Sequence, residues 1–271
     1  MKKQLVTPVL AMAACVLSLA VRAEDAKPPE QKAPEPDLKF TGNMTLASEY
    51  LYRGIAQTNN QPAIQGGFDL THKSGFYVGN WNSNISWLSD LNAGANGGLS
   101  APIEMDFYGG YKIEIPGGVT LDPGLLYYYY PKKGISLPVT PNTLEAYLGA
   151  SWGPATFKYS YSTTELFGTP GTKGSQYFDL SATFEVPGGV SITPHIGHQT
   201  VHTEGKTPAC LNGTRDLSYT DYNVKGSYDL SGWTLAAMVS DTDAKKACYT
   251  SNVGGTDLGK LRVVLSVGKT F

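Results

Sequence analysis

Apolar and polar residues alternate one by one through most of this chain, and that period, repeated segment after segment, narrows its possible folds more than any other feature. Over 40–53 the even positions are Phe40, Gly42, Met44, Leu46, Ser48, Tyr50 and Tyr52, and the odd ones are Thr41, Asn43, Thr45, Ala47, Glu49, Leu51 and Arg53. A period of two sends one set to each face of a strand. Segment 76–88 reads the same way, with Tyr77, Trp81, Ile85 and Trp87 on the apolar face and Asn80, Asn82, Asn84 and Ser86 on the polar one. In 102–114, Ile103, Met105, Phe107, Tyr111 and Ile113 oppose Glu104, Asp106, Tyr108, Lys112 and Glu114. The pattern predicts twelve strands, at about 40–53, 62–72, 76–88, 102–114, 119–130, 143–152, 155–164, 176–186, 190–199, 218–230, 233–241 and 260–271.

The connections sort into two kinds. Short Gly- and Pro-rich turns (Lys73-Ser74-Gly75, Pro116-Gly117-Gly118, Gly153-Pro154, Pro187-Gly188-Gly189, Ser231-Gly232) alternate with longer loops at about 54–61, 89–101, 131–142, 165–175, 200–217 and 242–259. That alternation is the layout of an antiparallel barrel in an outer membrane, with short periplasmic turns and longer external loops. A soluble β-sandwich also alternates. It would leave its sheet edges open, and the polar face here is too charged for a core: Glu49, Asp69, Glu104, Asp106, Glu114, Asp122, Glu145, Asp179, Glu185, Asp221 and Asp229, with Arg53, Lys73, Lys112, Lys158, Lys225 and Arg262. Aromatic residues of the apolar face gather at strand ends. Tyr50, Tyr52, Trp87, Tyr127, Tyr129 and Tyr161 are expected at the external boundary, and Phe40, Tyr77, Tyr111, Tyr228, Trp233 and Phe271 at the periplasmic one. The expected fold is all-β, an antiparallel transmembrane β-barrel of about twelve strands. Pro123 and Pro194 fall within strands, where each removes a ladder donor, so a bulge or a shifted register is expected at both.

The remaining sequence frames the barrel. Residues 1–23 read as a cleavable signal, with Lys2 and Lys3 before an apolar run and Val21-Arg22-Ala23 as the cleavage site. The run around Cys15 also resembles a lipoprotein box, but it stays apolar where such a box turns polar. Residues 24–39 are charged and Pro-rich, as in a disordered lead-in. After the signal no stretch approaches the ~20 apolar residues of a membrane helix, and mean hydropathy is −0.20. Lys2, Lys3 and Arg22 leave with the signal and no acid does, so the mature chain is more acidic than the formal −2 of the whole. That balance excludes nucleic acid as a partner on charge. Cys210 and Cys248 then remain as a pair in an exported protein, and a disulfide is expected between neighbouring loops.

Around the first hairpin the sequence "LASEYLYRGIAQTNNQPAIQGGFDLTHKSGFYVGNWNSNI" resembles the TorF-type porins, also described as the Gcw_chp family of uncharacterised proteobacterial proteins. The residues that carry the likeness are Ser48, Tyr50, Tyr52-Arg53-Gly54, Gln57, Pro62-Ala63, Gln65-Gly66-Gly67 and Gly75-Phe76-Tyr77. Beyond them a looser match in strand pattern and turns runs over 40–271. The resemblance implies an outer-membrane barrel and passage of solutes, and it carries no established catalytic residues.

The lumen is expected to be lined by Glu49, Arg53, Asp69, Asn80, Asn82, Asn84, Glu104, Asp106, Lys112, Glu145, Lys158, Asp179, Asp221, Lys225 and Arg262. An excess of acids in a low-dielectric wall attracts cations, so small neutral or cationic solutes are the expected cargo. Arg53 is expected to pair with an acid on another strand, either as a constriction of the mouth or as a wall salt bridge. The alternatives are a closed structural or adhesive barrel and a lipid-modifying enzyme. The enzyme would need Ser and His presented together, and His72 and Ser74 at a periplasmic turn lack an orienting partner. No cofactor or metal is expected. His198 and His202 share no helical face for zinc, and the Asp90, Asn92, Asn96 run of a calcium loop lacks its final acid, since position 101 is Ala. The expected partners are membrane lipids, lipopolysaccharide, and the barrel-insertion machinery, which would read the last strand ending in Phe271.

Overall fold

Twelve antiparallel strands follow one another in chain order, and the last pairs with the first. The computed structural model describes residues 36–91, 101–131, 139–205 and 207–271; the expected signal, the lead-in to 35, and Asn92 and Asn96 lie outside them. The strands are β1 Leu38–Ala47, β2 Ala63–His72, β3 Phe76–Asn84, β4 Ile103–Tyr111 continued by Ile113–Ile115, and β5 Val119–Tyr129. They continue as β6 Thr143–Trp152, β7 Ala155–Ser162, β8 Gln176–Ala182 continued by Phe184–Val186, and β9 Val190–Thr200. The last three are β10 Tyr219–Leu230, β11 Trp233–Thr242 and β12 Arg262–Thr270. Each pairs with its sequence neighbours, and Asn43↔Thr270 through Ala47↔Ser266 close the ring. Phe271 adds to the seam, donating its N–H to the Gly42 carbonyl at 2.8 Å. Closure leaves no unpaired edge, the condition lipid imposes on a spanning sheet. β1 starts at Leu38, inside the stretch expected to be lead-in.

The period of two sorts the side chains as an apolar outer band and a polar interior. Phe40, Ile64, Leu125, Leu148, Leu180, Ile196, Val224, Val239 and Leu265 stand exposed on the outside. Fully buried positions include Glu104, Glu145 and Asp221, the inverse of a soluble core. At the turn end, Gly117 and Gly118 hold φ of 100° and 79°, and Ser231-Gly232 hold 54° and 84°. These left-handed pairs match the twist of the flanking strands.

Neither proline produces a bulge or a register shift. β4 and β5 keep one register from Gly110↔Gly124 to Ile113↔Leu121, and the ladder merely lapses where Pro123 faces Tyr111. Likewise β8 and β9 run from Ser181↔His195 to Phe184↔Ile192 in one register, with the lapse at Pro194. Each proline remains in register on its other side, with Leu148 and Val224. A missing N–H costs a rung, not a residue.

The expected face of β3 is inverted. Phe76 and Val78 are exposed outside, Tyr77 and Trp81 point into the lumen, and Asn80 sits in register between the outward Phe68 and Phe107. Asn80, Asn82 and Asn84 therefore do not line the lumen. They form an outer stripe whose amide nitrogens donate to backbone: Asn80 Nδ2 to the Asp106 carbonyl (3.0 Å), Asn82 Nδ2 to Gly66 (3.2 Å) and Asn84 Nδ2 to Pro62 (3.1 Å), while Asn82 Oδ1 has no partner among the described residues. The alternation is ambiguous here because apolar residues occupy both parities, Phe76 and Val78 on one and Tyr77 and Trp81 on the other. A one-residue choice then flips the whole strand. The strand also ends at Asn84, and Trp87–Asp90 form a single helical turn at the mouth.

Candidate functional site

The first long connection does not rise away from the barrel. After Ala47 the chain folds inward, and Leu51–Tyr52 pair with Ile55–Ala56 as a miniature hairpin inside the mouth. Its two-residue tip is Arg53-Gly54, with φ of 47° and 77°. That mirror-image turn demands a left-handed conformation twice. Gly54 is required for space as well, since a Cβ there would lie 2.8 Å from Asp221 Cβ. Gln57 locks the returning arm. Its N–H donates to the Tyr50 carbonyl (2.8 Å), its side chain to the Ile55 carbonyl (2.8 Å), and its own carbonyl accepts from Ser86 N–H (2.9 Å). Behind it, Thr58 accepts from Tyr50 N–H at 3.2 Å. At the root, Glu49 accepts from Asn60 N–H (2.7 Å) and pairs with Arg262 of β12 (2.9 Å), which also reaches Asn60.

Arg53 is the point of the insert. Its Nη2 grips both Glu145 oxygens at 3.0 and 2.7 Å, and its Nη1 donates to Gln199 Oε1 at 2.6 Å. The guanidinium lies 4.1 Å from the Tyr177 ring centroid and 4.8 Å from that of Tyr52. One side chain thus ties the hairpin to β6 and β9 across the lumen. A planar, bidentate, stacked arginine is a geometry lysine cannot reproduce. The ion pair is nearly out of water, with side-chain exposures of 8% and 2%.

Below the tip the interior is lined by acids, and phenols meet four of them. Tyr108 donates to Asp69 (2.7 Å), Tyr77 to Asp122 (2.6 Å), Tyr177 to Asp221 (2.9 Å), and Tyr50 and Tyr130 both to Glu104 (2.6 and 2.5 Å). A phenol O–H satisfies a carboxyl oxygen in a low-dielectric wall without a cation beside it. His195 spans Asp179 (3.1 Å) and Asn223 (2.9 Å), with Asp221 at 3.5 Å. Lys158 stands 4.1 Å from the Tyr147 ring centroid. Asp106 is buried, and its Oδ1 has no partner among the described residues. Two cavities occupy this region, about 290 Å³ beside Arg53, Asp179 and Asp221 and about 580 Å³ beside Asp69, Asp106 and Lys112, with Lys158 on the wall of both.

Of the residues expected to line the lumen, Asp69, Glu104, Asp106, Lys112, Glu145, Lys158, Asp179, Asp221, Lys225 and Arg262 occupy inward positions of the wall, opposite in parity to exposed neighbours such as Phe68, Phe107, Leu148, Phe178, Val224 and Val263. Glu49 and Arg53 are not on the wall at all, but on the inserted segment. The insertion also corrects the belts. Tyr50, Tyr52 and Trp87 pack inside the mouth and Tyr77 inside the lumen, while Phe40, Tyr111, Tyr127, Tyr129, Tyr161, Tyr228, Trp233 and Phe271 remain on outward positions. Gln199, Tyr128 and Tyr177 at the grip on Arg53 escaped the sequence reading; their signal is that they share the parity of the inward acids. Asp90 ends the helical turn and accepts from Ser86 Oγ (2.9 Å). His72 bonds Ser74 (2.7 Å) in an exposed turn.

The long loops interlock. Cys210 and Cys248 are bonded, with Cα atoms 4.7 Å apart, which clips the β9–β10 loop to the β11–β12 loop. Tyr249 donates to the Leu217 carbonyl (2.5 Å) and Leu211 N–H to Ala247 (3.1 Å) across the same seam. The second of these loops then crosses the mouth: Asn252 donates to the Leu91 carbonyl (3.0 Å), and Ala56 N–H to Leu258 (2.9 Å).

Comparison with solved structures finds the same barrel architecture at very low sequence identity. The NanC porin superposes with a TM-score of 0.50 at 11% identity, covering 86% of this chain and 99% of that one. The KdgM porin gives 0.49 at 8% identity, covering 85% and 99%. The COG4313 outer membrane channel from Pseudomonas putida F1 gives 0.46 at 10%, covering 91% and 100%. At 11% identity the likeness to the NanC porin speaks to the fold. No curated protein matches. The sequence pattern of one family, described as bacterial protein of unknown function (Gcw_chp), matches residues 31–271, and the chain belongs to that family.

Proposed function

We propose that this protein is a porin-like channel of a Gram-negative outer membrane, of the TorF type, that passes small solutes by diffusion past the Arg53 constriction. The carrying observation is an ionisable, water-sized interior that runs beneath a mouth narrowed by one pinned arginine. A barrel built only as a scaffold has no need of carboxyl groups along its cavities, at Asp69, Asp106, Asp122, Asp179 and Asp221. The orientation follows the loops, with the long ones outside toward lipopolysaccharide and the short turns inside. Phe271, exposed at the end of β12, is the residue the insertion machinery would read.

Two ion pairs, Arg53–Glu145 and Arg262–Glu49, cancel within the insert. Asp69, Glu104, Asp106, Asp122, Asp179 and Asp221 then face Lys112, Lys158 and Lys225, so the lumen favours cations weakly. Current–voltage curves in a bilayer with a salt gradient test this reading. The reversal potential should lie on the cation side and move toward zero in Asp69→Asn. A second reading, a closed structural or adhesive barrel, is favoured by the interlocked loops over the mouth. It predicts no conductance in the wild type, and loss of cell adhesion without altered permeability when the protein is deleted.

A further inference from the structure

A third cavity, of about 390 Å³, lies above the Arg53 hairpin at the loop end, and its chemistry is unlike that of the lumen. One wall is an edge-to-face aromatic group. The Phe167 ring centroid lies 5.2 Å from Tyr52, 6.3 Å from Trp87 and 6.2 Å from Tyr130. Tyr219 at the start of β10 and Tyr249 of the disulfide-clipped loop, 5.1 Å apart and edge-on, supply further aromatic lining. Phe167 is held there at φ 49°, a left-handed conformation that is strained for an aromatic residue and that persists only where the surroundings enforce it. The ionisable residues on the lining include Asp90 and Glu104 and, among the described residues, no lysine, arginine or histidine. Glu104 sits where this vestibule meets the lumen.

Aromatic faces carry negative potential, and carboxylates add to it. An apolar pocket with these walls, and with no basic side chain among its described lining, is matched to a cation that is itself partly apolar. A carboxylate or phosphate ligand would find no basic side chain on the described lining and would meet Glu104. We infer that the vestibule is a binding site for compact organic cations, of the quaternary ammonium or protonated aromatic amine class, and that it loads them above the acidic lumen. This deepens the channel reading and rests on it for the route of the cargo. The binding step itself requires no conduction.

The test is calorimetric titration of the folded full-length protein in detergent with benzyltrimethylammonium, against benzyl alcohol and benzoate as the neutral and anionic comparisons. Saturable binding of the cation is expected, at least tenfold tighter than benzyl alcohol, with benzoate giving no saturable heat. Phe167→Leu and Tyr249→Leu keep apolar bulk while removing a face, and each should weaken the cation at least fivefold. Heat-modifiable migration on gels establishes that each variant is a folded barrel. Absence of saturable cation binding, or benzoate binding as tightly, overturns the site. Bilayer conductance on the same preparation separates the two claims. A conducting barrel that ignores the cation sinks the vestibule alone, and a barrel that binds but never conducts sinks the channel and leaves the site standing.

Discussion

Arg53 concentrates the account at the scale of the residue. Its pair with Glu145 is desolvated on both sides, and removing one partner from such a pair strands the other charge at a cost of about 3–5 kcal/mol. Arg53→Ala should therefore release the hairpin from β6 and β9 and raise single-channel conductance, with the barrel still closed. Arg53→Lys should fall between, because an ammonium cannot hold both Glu145 oxygens and Gln199 in one plane. A conductance unchanged in Arg53→Ala would mean that the tip does not limit passage. The sequence made the pairing of Arg53 with an acid on another strand foreseeable, since both charges occupy inward parities. It did not reveal which acid, because Glu145 lies 92 residues further on. Nor did it reveal that Tyr50 and Tyr52 leave the wall. The alternation runs unbroken through them, and only Gly54 after Arg53 hints at a two-residue turn.

At the scale of the element, alternation matches the observed face in strands such as β2, β4, β6 and β12 and fails at β3, where apolar residues fill both parities. The inverted face makes a labelling prediction. In folded protein in a membrane, Trp81→Cys should react with a water-soluble thiol reagent from the lumen, whereas Val78→Cys should be shielded by lipid; the reverse pattern would restore the original register. A bulge or a shifted register is expected at Pro123 and Pro194 if a missing donor displaces the strand, yet the neighbouring rungs hold register without it. The disulfide was foreseeable from compartment and even count, and the seam around it was not. Closing residues 38 apart in sequence constrains the unfolded chain by about 4 kcal/mol in the entropic model. Reduction should open the two loops to trypsin at Arg215, Lys245 and Lys246 while the strands stay protected. Lys245 beside Asp216 holds that carboxyl below its usual range. The contribution of the pair is complete above the unfolded value and lost as pH falls through the depressed one, so it fails only below about pH 4. Both side chains are substantially exposed, so the pair contributes little next to the disulfide. Mild acid alone should leave the loops resistant.

From the loop end inward, the molecule presents an aromatic vestibule without a base on its described lining, an arginine tip pinned across the mouth, and inward carboxyl groups, with Asp69, Glu104, Asp122 and Asp221 among them bonded to phenols. The closed ring and the apolar outer band follow from a period of two and the placement of turns, which is why the sequence alone makes them legible. The vestibule and the inserted hairpin are not, because they depend on loops from distant parts of the chain meeting over one opening. The most direct test of the central claim is single-channel recording of wild type and Arg53→Ala in a planar bilayer under a salt gradient. The account predicts small, stable wild-type steps with a cation-side reversal potential, and larger steps of the same sign in the variant. An anion-side reversal, or silence from both folded proteins, would contradict it.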